Sequence, residues 1–236
     1  MSESNVSGKW GREETTVERV YEQVKAMAIS FEFPPGARVN ELAVAKQIGV
    51  SRTPLREALN RLTADGFLTF SSQRGFFRKA LSVKAVEDLY EWREQLELGV
   101  VRLALERATE AALDEIEAFL KSSAPVGQNS KELLAFDEAF HQRVAALTSN
   151  AEIMDSLRSL NDRIRFMRWV EMERRGDYRL DDLYAILGAI RRKDLPLAEK
   201  LMSAHVLLPH DQIVAAVKDA FARIYMERES TFIPPV

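Results

Sequence analysis

Three histidines, an arginine on an apolar stripe and a pair of arginines beside a proline are the residues of this 236-residue chain best placed to do chemistry. Asp137 and His141 are four positions apart, so on a helix both leave one face, which also carries Leu133, Leu134 and Val144. His205 falls between Leu201 and Leu208 and is likewise predicted to point inward. A carboxylate and two imidazoles converging in an apolar interior make a two-histidine, one-carboxylate metal site with open positions. The same spacing also suits a buried Asp137–His141 hydrogen-bonded pair, with His205 a satisfied core residue. His210, after Pro209 and off the stripe, is expected at the surface.

Arg93 sits between Leu89 and Leu96 on an inward stripe. Burying a guanidinium there is expensive unless an anion meets it. That anion is either a neighbouring carboxylate, Asp137 or Glu97, or the carboxylate of a bound ligand gripped by the planar fork. Arg165 and Arg168, beside the stripe of Leu157, Leu160, Ile164 and Met167, are candidates of the same kind, although arginines at such borders commonly reach to solvent.

Arg52 and Arg56 are four residues apart at the start of a predicted helix, where Ser51 and Thr53 are capping candidates and Pro54 is tolerated in the first turn. Leu55, Leu59 and Leu62 place one face of that helix inward. A short helix with Val44, Ala45 and Ile48 precedes it and stops at Gly49. Two short helices joined by a tight glycine turn, the second opening with arginines, read as a helix-turn-helix. A hairpin pattern follows: Phe67–Phe70, a polar turn Ser71–Gly75 with Arg74 at its tip, then Phe76–Ala80. Paired arginines alone are usually a solvated face; with a capped helix start and a hairpin beside them, they point to DNA.

The elements that must position these residues divide the chain. Residues 1–80 hold 12 Lys and Arg against 9 Asp and Glu, and the remainder 21 against 27, within a net charge of −3. A basic head on an acidic body is expected when only the head meets phosphate. Residues 1–14 read as a disordered lead, 15–80 as the DNA-binding domain, 82–225 as a ligand-binding domain and 226–236 as a tail. An amphipathic helix over Thr16–Ser30 opens the head. Beyond Ser82 the pattern is helical throughout, with starts at Ser82, Thr109 and Asn150, a loop over Ser122–Ser130, a break at Gly176-Asp177 and a last helix kinked or interrupted by Pro209. The fold class is therefore mainly α: an N-terminal winged helix-turn-helix and a C-terminal all-α bundle. Cysteine is absent, which excludes disulfides, thiolate metal sites and a cysteine nucleophile. No run of about 18 apolar residues occurs and the polar N-terminus has no apolar signal core, so a cytoplasmic protein without membrane contact is expected.

The run GVSRTPLREALNRLTADGFL, with RGFF downstream, resembles the winged head of GntR-type bacterial transcription regulators. The segments DLYEWREQLELGVVRLALERA, FDEAFHQRVAALTSN and LMSAHV resemble the FCD ligand-binding domain of the FadR-like branch. The first resemblance implies DNA contacts by Ser51, Arg52, Thr53, Arg56, Arg74 and Gly75. The second implies a divalent metal, zinc or nickel, on Asp137, His141 and His205, with Arg93 facing a small organic acid. Two positions depart from the family pattern: Leu42 where some relatives carry arginine, and Leu183 where a fourth metal ligand is expected.

These readings converge on an effector-responsive regulator, expected to repress, that binds a near-palindromic operator as a homodimer. A metal-dependent enzyme on the helical domain is the alternative, but His-Glu-x-x-His is missing, so no enzymatic activity is expected. A protein-interaction module is the third class, and salt-sensitive binding to DNA fragments separates it from the regulator.

Overall fold

The computed structural model describes residues 16–125, 129–176 and 178–229. The expected disordered lead, Gly127, Asp177 and the end of the tail lie outside them. Two compact units divide the chain, one ending at Lys79 and the other beginning at Ala80.

In the first unit, α1 (Thr16–Ile29), α2 (Glu41–Ile48) and α3 (Arg52–Ala64) precede a hairpin of β1 (Leu68–Ser71) and β2 (Gly75–Arg78). The apolar positions of α1 and α3 meet in one core that includes Val20, Val24, Leu55, Leu59, Leu62, Phe67 and Phe76. The two helices are also stitched at their polar edges. Tyr21 donates to Asp65 at 2.7 Å, and Arg61 meets Glu18 at 2.9 Å while lying 3.9 Å from the Tyr21 ring centre. The α2–α3 turn closes through Gly49, whose φ of 69° is a left-handed cap that glycine adopts without steric cost. Ser51 stands at the N-cap of α3 but its side chain makes no capping hydrogen bond, and Thr53 lies with Pro54 inside the first turn.

The hairpin is antiparallel, with Leu68 opposite Arg78 and Ser71 opposite Gly75. The segment before α2 adds a third line of pairing that the hydrophobic pattern did not reveal. Gly36 donates to Arg78 O at 3.0 Å, Arg78 to Ala37 O at 2.9 Å and Val39 to Phe76 O at 2.9 Å. Strand β2 is therefore bonded on both sides.

The second unit is all helical among the described residues: α4 (Val83–Arg107), α5 (Glu110–Ser123), α6 (Ser130–Ala146), α7 (Ala151–Arg175), α8 (Leu180–Arg191), α9 (Leu195–Val206) and α10 (His210–Glu229). Ser82, Thr109 and Asn150 cap α4, α5 and α7 as expected, each accepting from a backbone N–H three residues on. Pro209 does not kink one helix but separates two, because the chain leaves α9 through Leu207 in extended geometry. The tail also differs from expectation, since α10 runs through residue 226 and on to Glu229. The main core gathers Val100, Phe140, Val144, Leu157, Leu183 and Ile186, and a second cluster joins Val86, Tyr90, Met167, Val170 and Val217. No described helix is long and apolar enough to cross a membrane.

Candidate functional site

Two regions carry the residues singled out by sequence. In the first unit Ser51, Arg52, Thr53 and Arg56 are all exposed on the opening turns of α3, and Arg74 is exposed at the hairpin tip. Arg56 Nε lies 3.4 Å from Glu41 Oε2, and its guanidinium carbon 6.0 Å from the Phe76 ring centre. Gly75 follows Arg74 at φ 85°, a backbone state that side chains rarely adopt. A methyl group built on Gly75 would fall 3.5 Å from Glu41 Oε1 and 3.8 Å from Arg38 Nε, so α2, its lead-in and the hairpin close on one point. Arg38 and Glu41 carried no signal in the sequence, because only the pairing of residues 36–39 with β2 brings them there. Arg78 is buried and donates to Phe67 O at 2.7 Å, so this basic residue of the hairpin is structural. Leu42, at the departure from the family pattern, is exposed on α2.

In the second unit α6 supplies Asp137 and His141, both fully buried, and α9 supplies His205 near its end. One ligand atom from each of the three lies within 4.8 Å of the others. Asp137 Oδ1 is 3.1 Å from His205 Nε2 and Oδ2 is 3.5 Å from His141 Nε2, and the two imidazoles stack at 5.3 Å. Behind them is a residue that sequence treated only as a partner for Arg93: Glu97 on α4, with Oε1 2.8 Å from His141 Nδ1. That contact is close but out of line, so both ring nitrogens of His141 and both Glu97 oxygens are buried without an aligned hydrogen bond. With its proton turned to Glu97, His141 presents the Nε2 lone pair to Asp137. Two electron-rich atoms facing each other in a buried site suit a cation between them, so the residues present fit a divalent ion. Leu183 does not contribute; it is fully buried in the main core, and a three-ligand set leaves positions for water or an effector.

Both readings of Arg93 meet here. It is buried, with Nε 3.6 Å from Glu97 Oε1 and Nη2 3.9 Å from Asp137 Oδ2, yet neither nitrogen has an aligned hydrogen-bond partner. Arg168, on α7, donates to Asp137 Oδ2 and lies 3.5 Å from Glu138. Arg93, Asp137, Arg168, Arg175, Tyr178 and His205 line a cavity of about 120 Å³. Arg165 is not on its wall. Its guanidinium is half exposed and held by both oxygens of Glu138, at 3.2 and 2.5 Å, with Asp162 at 3.6 Å. The helix phase turns Arg168 inward and Arg165 outward, which corrects the expectation for Arg165. Tyr178, from the segment before α8, also donates to Asp137 Oδ1 at 3.3 Å. His210 is exposed, as expected, and pairs with Glu87.

The electrostatics follow from burial. Desolvation pushes the Asp137 carboxyl up, but Arg168 above all, with His205 hydrogen-bonded beside it, holds it well below the usual carboxylate range. Burial lowers His141 against the pull of Glu97, so its imidazole is neutral near pH 7, the form that binds metals. Burial first, and then Arg168, lower Arg93 against the pull of Glu97 and Asp137. Burial raises Glu171 on the same wall.

A winged helix-turn-helix with arginines on its recognition helix, followed by a helical unit with an arginine-walled cavity, defines a DNA-binding transcription regulator. Residues 16–77 match the model of the bacterial regulatory proteins of the gntR family, and residues 88–208 match the FCD domain. The chain is similar to the Nta operon transcriptional regulator of Aminobacter aminovorans, with 41% identity over 84% of this chain and 95% of that protein. It is 31% identical to the uncharacterized HTH-type transcriptional regulator YdhC of Bacillus subtilis strain 168, over 78% of this chain and 85% of the relative. In fold it is similar to a GntR transcriptional regulator from Rhodococcus sp. RHA1, with a TM-score of 0.64, 22% identity and coverage of 85% and 98%. The chain belongs to the GntR family and carries an FCD domain after its DNA-binding head; it is a transcription regulator, not an enzyme.

Proposed function

We propose that this regulator binds a near-palindromic operator as a homodimer and releases or retains it according to a small organic acid held in the FCD cavity. Ser51, Arg52, Thr53 and Arg56 contact DNA from the recognition helix, while Arg74 and the Gly75 backbone contact it from the wing. Two heads on a two-fold axis set the operator symmetry. Occupancy of a promoter by such a dimer blocks transcription by simple exclusion, which favours repression.

One observation carries the effector reading: Arg93 and Arg168 stand on one cavity wall, both buried, with Arg93 Nε and Nη2 and Arg168 Nη1 lacking aligned hydrogen-bond partners. A ligand carboxylate supplies the missing acceptors in one step. Asp137, His141 and His205 would hold a zinc or nickel ion beside it, which would supply a Lewis acid for the effector's carboxylate. Asp137 orients Arg168, and Tyr178 holds the other carboxylate oxygen of Asp137. Effector binding shifts DNA affinity by a coupling of about 1–3 kcal/mol.

A panel of mono-, di- and tricarboxylates, each added with and without zinc or nickel, tests the proposal. The expected result is a rise in melting temperature for one acid class and a change in operator retention for the same class. Acids that leave both readouts unchanged, across the whole panel, overturn the effector assignment.

A further inference from the structure

A carboxylate on a DNA-facing surface repels phosphate, and its removal ordinarily tightens binding to any duplex. Glu41 nevertheless occupies the centre of the candidate DNA surface. It opens α2 immediately after Asn40, whose side chain caps the helix by accepting from Ala43 N at 3.1 Å, so its backbone is fixed. One carboxylate oxygen meets Arg56 Nε at 3.4 Å; the other faces Gly75 of the wing beside Arg38. Of the Glu41–Arg56 pair the acid is the more enclosed, its side chain 23% exposed against 53%.

The edge of the guanidinium that Glu41 engages is the informative detail. Nε is the inner nitrogen, and tying it down leaves the two terminal Nη groups at the outer end. A guanine edge is read by that outer pair, one nitrogen to O6 and one to N7. A free arginine samples many rotamers; a carboxylate 3.4 Å from Nε and the Phe76 ring 6.0 Å from the guanidinium carbon narrow that range. We infer that Glu41 is a positioning residue for base readout, aiming the outer edge of Arg56 at the major groove at the expense of nonspecific affinity. This rests on the reading of Arg56 as a DNA contact.

The experiment uses the full chain. Selection from duplexes with a randomised core gives the sequence preferred by the parent. The parent, Glu41→Gln, Glu41→Asp and Arg56→Ala are then titrated against that duplex and a scrambled duplex of the same length, with melting temperatures as the folding control. Glu41→Gln is expected to lose roughly tenfold on the preferred duplex while its binding to the scrambled one holds or tightens. Base preference should relax at the positions where Arg56→Ala relaxes it, and Glu41→Gln should remove no further preference in the Arg56→Ala background. Glu41→Asp keeps the charge but withdraws the carboxylate by one carbon, so it should lose base preference as the Gln variant does while its binding to the scrambled duplex stays at the parent's, and it provides the test should the Gln variant fold poorly. Equal tightening on both duplexes overturns the inference, since Glu41 is then only a repelling charge. If Arg56→Ala loses preference and both Glu41 variants keep it, the inference alone falls. If Arg56→Ala keeps it, the assignment of Arg56 falls and takes the inference with it.

Discussion

Arginine does opposite work in the two units. In the head Arg52, Arg56 and Arg74 stand in solvent, and the carboxylate that meets Arg56 leaves its outer edge open. In the helical unit Arg93 and Arg168 are buried around one shared carboxylate, Asp137, with Glu97 and Glu138 behind. Exposed pairs are worth about 0–1 kcal/mol, whereas breaking a buried one costs about 3–5 kcal/mol because the remaining charge is stranded. The head therefore keeps these three cations available to a partner at little risk to the fold. The cavity keeps its cations buried, with Arg93 Nε and Nη2 and Arg168 Nη1 short of aligned hydrogen-bond partners.

The largest effect that tests this contrast is Asp137→Ala. It leaves two buried guanidiniums facing each other and should cost about 3–5 kcal/mol of stability, read by urea denaturation of metal-free protein. A loss below about 1 kcal/mol would mean that water already screens the cluster. Next in size is Arg56→Ala, which should remove about 1–3 kcal/mol of operator affinity per head while the melting temperature stays within about 2 °C. Comparable destabilisation instead would place Arg56 with the buried arginines.

Acid titration sharpens the comparison without mutation. All three histidines lie in the helical unit. His141 has a folded pKa lowered by burial, so below its ordinary value of about 6.5 the unfolded chain binds the extra proton and stability falls. The carboxyl of Asp137, held low chiefly by Arg168 against burial, adds a second loss as pH drops through about 4. In metal-free protein the helical unit should thus begin to weaken near pH 6.5, before the head does; amide exchange resolved by segment measures both. Simultaneous weakening of the two would remove His141 as the cause. A far smaller stability change than for Asp137→Ala is expected of Arg93→Leu: the apolar stripe accepts leucine and Arg168 loses a repulsive neighbour, so melting should hold within about 3 °C while the acid response disappears. Marked destabilisation would make Arg93 a structural counter-ion for Glu97. Metal content isolates the ion from the acid. Zinc or nickel retained after dialysis should fall in His205→Ala and rise in Leu183→His, and a parent that binds neither leaves Asp137 and His141 a buried polar pair.

Much of the fold was legible because it is written in local periodicity and caps. Ser82, Thr109 and Asn150 announced helices whose starts depend on one side-chain oxygen each, and Leu55, Leu59 and Leu62 fixed the buried face of the recognition helix. Asp137 and His141 were legible as a pair because one helix sets their spacing. Glu97 was visible only as a neighbour of Arg93, since its approach to His141 needs α4 packed against α6. Glu138, Tyr178, Arg38 and Glu41 were not legible as site residues at all, because tertiary packing alone gathers them. Arg165 was misplaced for a narrower reason. It borders the same stripe as Arg168, and the stripe's edge does not say which of two residues three apart turns inward.

The pairing of residues 36–39 with β2 has a consequence for how this protein can be re-engineered. Because β2 is held along both edges, Ser72, Gln73 and Arg74 at the tip add little to the wing's anchorage beyond the turn bond from Arg74 N to Ser71 O and the Arg74 guanidinium 5.4 Å from the Phe77 ring centre. Their sequence and even their number are open to replacement, provided the glycine at 75 stays to make the turn. Transplanting tips from other winged proteins onto this frame should recode the wing contact independently of the recognition helix, which makes the hairpin a graft site with a stable base.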